Sequence, residues 1–276
     1  MKIAIASDLH LEFQEKRDLI PTYQRWKDHL IEEEVDLILL AGDTSVRRNN
    51  VSQKHRSRLF AESLARDVGC PVVFIAGNHE YYKMNTKSCL ESLRKVDENT
   101  PEGVYFLEND LIEIRDNEIE ESLYIIGATL WTDFKLYDHP VLSMNYAEHG
   151  MNDFKLIRNA GYTKIKPQDT VIWHNYSKAL IEKYLLELKE EKTLVLTHHC
   201  PSSLVANPLF KHSELEPAYI SEILSESTRL PDYWVFGHSH HKVDQKFGKT
   251  RIITHQRGYP GELEDFDEFL FKIIEV

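Results

Sequence analysis

Residues 71–80, Pro71 to Glu80, read PVVFIAGNHE, and the reading of this stretch decides the fold. Val72 to Ala76 is an unbroken apolar run rich in β-branched residues. It is too short for a helix and reads as a buried strand. Gly77 ends it, and Asn78, His79 and Glu80 follow at once. Polar groups at the carboxyl end of a buried strand stand on a rigid support. Asn offers a neutral oxygen to a metal ion, and His serves as ligand or general acid. Taken alone, the stretch also fits a strand ending in an ordinary polar turn.

The same design recurs four times. Lys2–Ser7 precedes Asp8-Leu9-His10, and Val35–Ala41 precedes Gly42-Asp43. Thr193–Thr197 precedes His198-His199, and Tyr233–Phe236 precedes Gly237-His238-Ser239-His240. Turns that end strands by chance carry mostly Gly, Asn, Ser or Pro. Strand ends that carry Asp, Asn and His point to a metal site assembled from separate strands.

Outward from these ends, Leu19, Tyr23, Trp26, Leu30 and Ile31 have helical spacing and predict a helix over 19–34. The opening is then β-α-β with parallel strands, and Asp8, His10 and Asp43 emerge at one sheet edge. The stretch Thr44–Arg58 carries Arg47, Arg48, Lys54, His55, Arg56 and Arg58 without an acid. It reads either as a solvated loop entering a helix or as a positive rim that draws phosphate. That helix runs to Val68. Further on, a helix is expected over 85–96 and strands over 104–107, 111–114 and 122–130, with turns at Asn109-Asp110 and Asp116-Asn117. Residues 131–176 lack a clear period and are rich in aromatics, which suggests a cap or lid. Its aromatics either pack the cap or stack on a substrate ring. His174 is read as opening a helix to about Lys192, and 215–227 as another helix. A hairpin at 245–250, strands over 251–254 and 269–276, and a solvated acidic loop at 262–268 complete the chain.

The chain has 276 residues, 42% hydrophobic and 28% charged, an ordinary globular composition. A net charge of -12 argues against general affinity for nucleic acid backbone. Cys70, Cys89 and Cys200 are too few for a disulfide framework and fit a reducing, cytoplasmic setting. No apolar run approaches a membrane span, and the first strand at residue 2 has no basic, apolar leader ahead of it.

In order, Asp8-x-His10, Gly42-Asp43, Gly77-Asn78-His79-Glu80, His198 and Gly237-His238-x-His240 resemble the calcineurin-like metallophosphoesterase superfamily. Leu130-Trp131-Thr132-Asp133-Phe134 and Met151-Asn152-Asp153-Phe154 look like a bacterial branch of it, so the resemblance spans nearly the whole chain. It implies an α/β fold, a four-layer α-β-β-α sandwich of two mixed sheets, in a single domain over 1–276 with a cap at 131–176. It implies two metal ions, with Mn, Fe or Zn suited to oxygen and imidazole donors. Asp8, His10, Asp43 and His240 would hold one ion. Asp43, Asn78, His198 and His238 would hold the other, with Asp43 bridging. A metal-activated hydroxide would attack phosphorus, and His79 would protonate the leaving oxygen. His198 is preferred to His199 because it directly follows the strand. Protein phosphatases of the superfamily carry an Asp-Arg pair after Gly-Asp. Here Val46 stands in the Asp position and Arg47 matches the Arg in spacing, which points away from a protein substrate. Glu80 stands where Asp is common and is expected to support the ligands from behind.

The expected activity is hydrolysis of a small, nucleotide-like phosphodiester, with Arg47 and Trp131 as substrate-binding candidates. A small-molecule phosphomonoesterase, a nuclease and a non-catalytic scaffold are the alternatives. The sequence leaves the oligomeric state open.

Overall fold

The computed structural model describes residues 1–47, 53–116 and 121–276; Arg48 and Asn117 lie outside them. The first sheet forms from β1 (Lys2–Ala6), β2 (Leu37–Leu40), β3 (Val72–Ile75), β4 (Val104–Leu107) and, last in sequence, β11 (Lys272–Glu275). Its order is β11-β1-β2-β3-β4, with the first four strands parallel and β11 antiparallel to β1. The second sheet has β5 (Asp110–Asp116), β6 (Glu121–Ala128), β7 (Lys192–Thr197), β8 (Tyr233–Val235), β9 (Val243–Phe247) and β10 (Thr250–Thr254). Its order is β5-β6-β7-β8-β10-β9, with antiparallel strands at both edges.

Alternation along the strands builds the layers. Ile3 and Ile5 of β1 face inward with Leu37, Leu39 and Val73, and meet Ile125, Leu194, Leu196, Val235 and Ile253 of the other sheet. Ala4 and Ala6 point the other way, into a core shared with Trp26 of α1 (Lys16–Glu32), Leu64 of α2 (Arg56–Val68) and Cys89 of α3 (Thr86–Arg94). Across the second sheet, Val195 and Trp234 pack under Ile181 and Leu185 of α6 (Pro167–Glu187). Two mixed sheets face to face, with helices outside each, make a four-layer α-β-β-α sandwich.

Several local expectations give way. Residues 131–176 hold α4 (Pro140–Gly150), α5 (Asp153–Leu156) and the first half of α6. His174 therefore sits inside α6, buried, with Nδ1 3.3 Å from the Trp131 carbonyl, and does not open a helix. Over 215–227 only a 3-10 turn at Glu216–Ala218 and one turn of helix, α7 (Ile223–Glu226), form. A bridge between Cys200 and Ile220, with the Cys200 amide donating to the Tyr219 carbonyl and the Ser221 amide to the Cys200 carbonyl, holds the chain extended between them. The basic stretch divides: Arg47 lines an open depression, while its later cations are not a solvated surface. Lys54 and Arg58 turn inward, each pairing with buried Glu62 at 2.9 and 3.0 Å.

Candidate metal centre

The parallel strands of both sheets deliver their carboxyl ends to one edge, as the strand order requires. Asp8 and His10 follow β1, Asp43 follows β2, Asn78 and His79 follow β3, His198 follows β7, and His238 and His240 follow β8. All eight are buried. Asp8, His10, Asp43, His238 and His240 have φ between 44° and 70°, in the left-handed region. Strained backbone of this kind clusters where side chains must be aimed.

Three sets of possible ligand atoms form a continuous chain: Asp8, His10 and His240; His10, Asp43 and His79; Asp43, His198 and His238. Asp43 is divided between two sides. Its Oδ1 lies 3.4 Å from His198 Nε2, and its Oδ2 lies 3.9 Å from both His10 Nε2 and His79 Nε2. Space is tight enough that a Cβ on Gly77 would fall 2.1 Å from Asp43 Oδ1 and 2.6 Å from His198 Cε1.

Hydrogen bonds behind the ligand atoms fix which nitrogens are bare. His10 Nδ1 donates to Glu12 at 3.3 Å, and His240 Nδ1 donates to Glu262. Both Nε2 atoms are then lone pairs, yet they face each other at 3.1 Å. His198 Nδ1 donates to the Ala41 carbonyl at 2.9 Å, so its Nε2 lone pair faces Asn78 Oδ1 at 3.1 Å, a second acceptor. Asn78 is oriented this way because its amide donates to Asp153 at 2.8 Å and Tyr82 at 3.1 Å. His238 Nε2 is buried with no hydrogen-bond partner. Lone pairs that converge on lone pairs and carboxylates call for cations between them, so the donor set fits divalent metal ions.

Where no metal ion stands between the neutral rings and the carboxylates, protons are drawn to the same positions. Burial alone would lower the His198 and His240 pKa values. The Asp43 charge outweighs it at His198, which rises to about 9, and Asp8 with Glu262 outweigh it at His240, which rises to about 10. From protein charges alone, the cluster draws positive charge onto the atoms that face its carboxylates. Glu80 lies behind, accepting from the backbone of Asp43, Thr44, Ser45 and Gly77 at 2.8–3.2 Å. It ties the β2 and β3 ends together.

His79 Nδ1 donates to Glu12 at 2.9 Å, and its Nε2 lies 3.1 Å from the Tyr259 hydroxyl. His199 turns aside, its Nδ1 donating to the Thr129 carbonyl at 3.1 Å. Trp131 is corrected as a stacking candidate. It is 4% exposed, ringed by Tyr81, Trp173 and His199, and offers no free face. Aromatic rings reach the cleft from elsewhere. Phe210 and Tyr219 stack within 6.5 Å and 9° of parallel, Tyr219 covers His238, and Tyr259 covers His10. Gly150, Met151, Asn152 and Asp153 form another wall of this cleft, which encloses about 230 Å³. Arg47 stands outside it, in a neighbouring depression. Sequence reading missed Glu12, Tyr259 and Glu262, and marked Asp153 only as part of a family motif without its role in holding Asn78. Glu262 belongs to the acidic run expected to be a solvated loop, and instead orients His240.

No helix among the described residues is long and apolar enough to cross a membrane. The chain is 27% identical to the uncharacterized protein L509 of Acanthamoeba polyphaga mimivirus, over 96% of this chain and 94% of that one. Its structure resembles a phosphopantetheinyl hydrolase from Mycobacterium tuberculosis, with a TM-score of 0.71 at 16% identity, covering 99% of this chain and 95% of that one. It also resembles GAP50, the anchor in the inner membrane complex of Plasmodium, with a TM-score of 0.52 at 12% identity, covering 92% and 70%. These structural likenesses concern the fold. The family model for calcineurin-like phosphoesterase matches residues 1–242. With that match over most of its length, and with clustered His and Asp groups fit for metal ions, the chain belongs to the calcineurin-like phosphoesterase family of metal-dependent hydrolases acting on phosphoric esters.

Proposed function

We propose that the chain hydrolyses a small, nucleotide-like phosphodiester at a centre of two metal ions. Asp8, His10, Asp43 and His240 hold one ion, and Asp43, Asn78, His198 and His238 hold the other. The observation that carries this reading is the division of Asp43, whose two oxygens face separate sets of histidine nitrogens. Oxygen and imidazole donors suit Mn, Fe or Zn. When bound, the ions supply Lewis-acid charge that polarises the phosphoryl oxygens and makes water a competent nucleophile near neutral pH. They also offset the carboxylates: the cleft lining has Asp43, Asp153 and Glu262 but no Lys or Arg among the described residues.

His79 is the general acid of the reading. Its Nε2 edge faces the ligand cluster, and Glu12 holds the opposite edge. Preference for a diester rests on room at both ends of the cluster. Beyond His238 lie Phe210, Leu215 and Tyr219, and beyond His79 a second depression opens. A monoester needs only one of these. Inward pairing of Lys54 and Arg58 removes much of the support for a nuclease. Free thiols at Cys70, Cys89 and Cys200 favour a reducing, cytoplasmic setting.

The test is paired kinetics on bis-p-nitrophenyl phosphate and p-nitrophenyl phosphate with Mn²⁺, alongside metal analysis of protein purified without chelator. A higher kcat/KM for the diester supports the reading. A monoester value about tenfold higher would replace it with a phosphomonoesterase. Fewer than two ions per chain with no turnover would leave a scaffold.

A further inference from the structure

The depression beyond His79 has a composition the main cleft lacks. It encloses about 830 Å³, and Phe13, Arg47, Lys83 and Leu156 line it together with His79, Tyr82, Asn152 and Tyr259. The last four also line the main cleft, so the two spaces meet along His79 and Tyr259. Phe13 is 54% exposed and packs edge-on to Tyr259 at 5.4 Å, which leaves a ring face open to solvent. Lys83 is fixed at its backbone, with its N–H donating to the Leu156 carbonyl at 3.1 Å, while its side chain is exposed. Neither Arg47 nor Lys83 forms an ion pair with a described residue. Glu12 also lines the depression, but its oxygens are held by His10, His79 and the Val46 amide, so Arg47 and Lys83 beside an open aromatic ring favour an anion on the outer side.

We infer that this depression is the leaving-group subsite, and that the leaving group is a ring-bearing alcohol with its own anionic group, as in a nucleoside phosphate. The inference rests on the phosphoesterase reading above, and in particular on His79 as the acid. In hydrolysis, water adds its oxygen to phosphorus and the bond from phosphorus to the leaving oxygen breaks. That oxygen takes a proton, and if His79 supplies it the leaving group must lie on the His79 side of phosphorus. The depression is the space there. Phe13 and Tyr259 give the ring a surface, and Arg47 and Lys83 meet its second anion.

The experiment uses two series of aryl esters with Mn²⁺, one of methyl aryl phosphodiesters and one of aryl phosphomonoesters. Each series pairs a 4-methylphenyl leaving group with a 4-(phosphonomethyl)phenyl one. Within a series, kcat/KM should favour the anionic leaving group about five- to thirty-fold, the scale of two partly exposed ion pairs. The preference should shrink as salt is raised. It should fall toward unity in the Arg47→Gln/Lys83→Gln double variant and survive in Arg47→Lys. A preference that is absent from both series, or unchanged in the double variant, overturns the inference. Faster turnover of monoesters with the preference intact discards the diester reading and keeps the subsite. No turnover in either series removes both.

Discussion

Glu12 Oε1 lies 2.9 Å from His79 Nδ1 and 3.3 Å from His10 Nδ1. One carboxylate thus sets the tautomer of a candidate metal ligand and of the candidate acid together. Its other oxygen accepts from the Val46 amide at 3.2 Å, which anchors it to the loop after β2. Burial would raise the Glu12 pKa, but the hydrogen bonds from the two imidazoles, helped by their positive charge when protonated, outweigh it and hold Glu12 down at about 2. It stays ionised throughout the neutral range.

Glu12→Gln should weaken metal binding about 10- to 100-fold, the usual cost of losing a group that orients a ligand. Saturating metal should restore turnover of nitrophenyl esters further than turnover of alkyl esters, because His79 also loses its support. Metal titration followed by kinetics on both ester types checks this. Unchanged metal affinity would show that Glu12 is not orienting His10.

Asp43→Asn should remove most bound metal and most activity together. The carboxylate faces both histidine sets, and a neutral amide brings one oxygen where two are needed. Metal content by elemental analysis and kcat on the same preparation give the answer. Two ions per chain with near-normal turnover would refute the bridging role.

His79→Ala should retain both ions and lower kcat by about 10²–10⁴, the range for loss of a general acid. The loss should be smaller for p-nitrophenyl than for alkyl esters, since a good leaving group departs without a proton. Equal losses on both would assign His79 to charge stabilisation instead.

The strand ends were legible because each couples a buried apolar run to an abrupt change to Asp, Asn or His. The parallel pairing of β1 and β2 followed from the β-α-β alternation around Asp8 and Asp43, whereas the layer order came from the family resemblance. What stayed hidden depends on contacts between distant segments. Glu262 looks like one acid in a solvated run. It reaches His240 because Ser7 pairs with Gln256 and the Gly258 amide donates to the Asp8 carbonyl at 3.1 Å, drawing the loop after β10 across the site. Glu12 offered one weak signal, its place two residues after His10. Lys54 reads as surface charge because its partner Glu62 lies eight residues on, inside α2, whereas Arg58 and Glu62 are an i,i+4 pair of that helix whose burial the local sequence does not mark. The apparent helix over 215–227 had the right spacing, but the backbone there bonds to Cys200.

Trp131→Ala should act on stability and not on substrate binding. The ring is 4% exposed and packs on Trp173 at 5.7 Å and His199 at 5.1 Å. Truncating a buried Trp costs about 3–5 kcal/mol. Denaturant unfolding should show that loss, while KM for nitrophenyl and nucleotide esters should move together. A KM increase confined to nucleotide esters would return Trp131 to the substrate.

Gly77→Ala separates room at the centre from backbone strain. Its added Cβ would fall 2.1 Å from Asp43 Oδ1, and the backbone cannot easily withdraw because its amide donates to Glu80 at 2.8 Å. Asp43 or the β3 end must move, and either motion opens the ligand set. Gly69 is the control. Its φ is +84°, but nothing lies within 4 Å of a Cβ placed there. Gly69→Ala should therefore cost about 1–2 kcal/mol from the left-handed backbone alone, with metal binding unchanged. Gly77→Ala should lose metal affinity by far more than its loss of thermal stability would suggest. Measured side by side, metal affinity and unfolding free energy should rank the two variants differently. If Gly77→Ala binds two ions as tightly as Gly69→Ala does, the Asp43 carboxylate has freedom to shift, and a centre held rigidly by the two strand ends is the wrong picture.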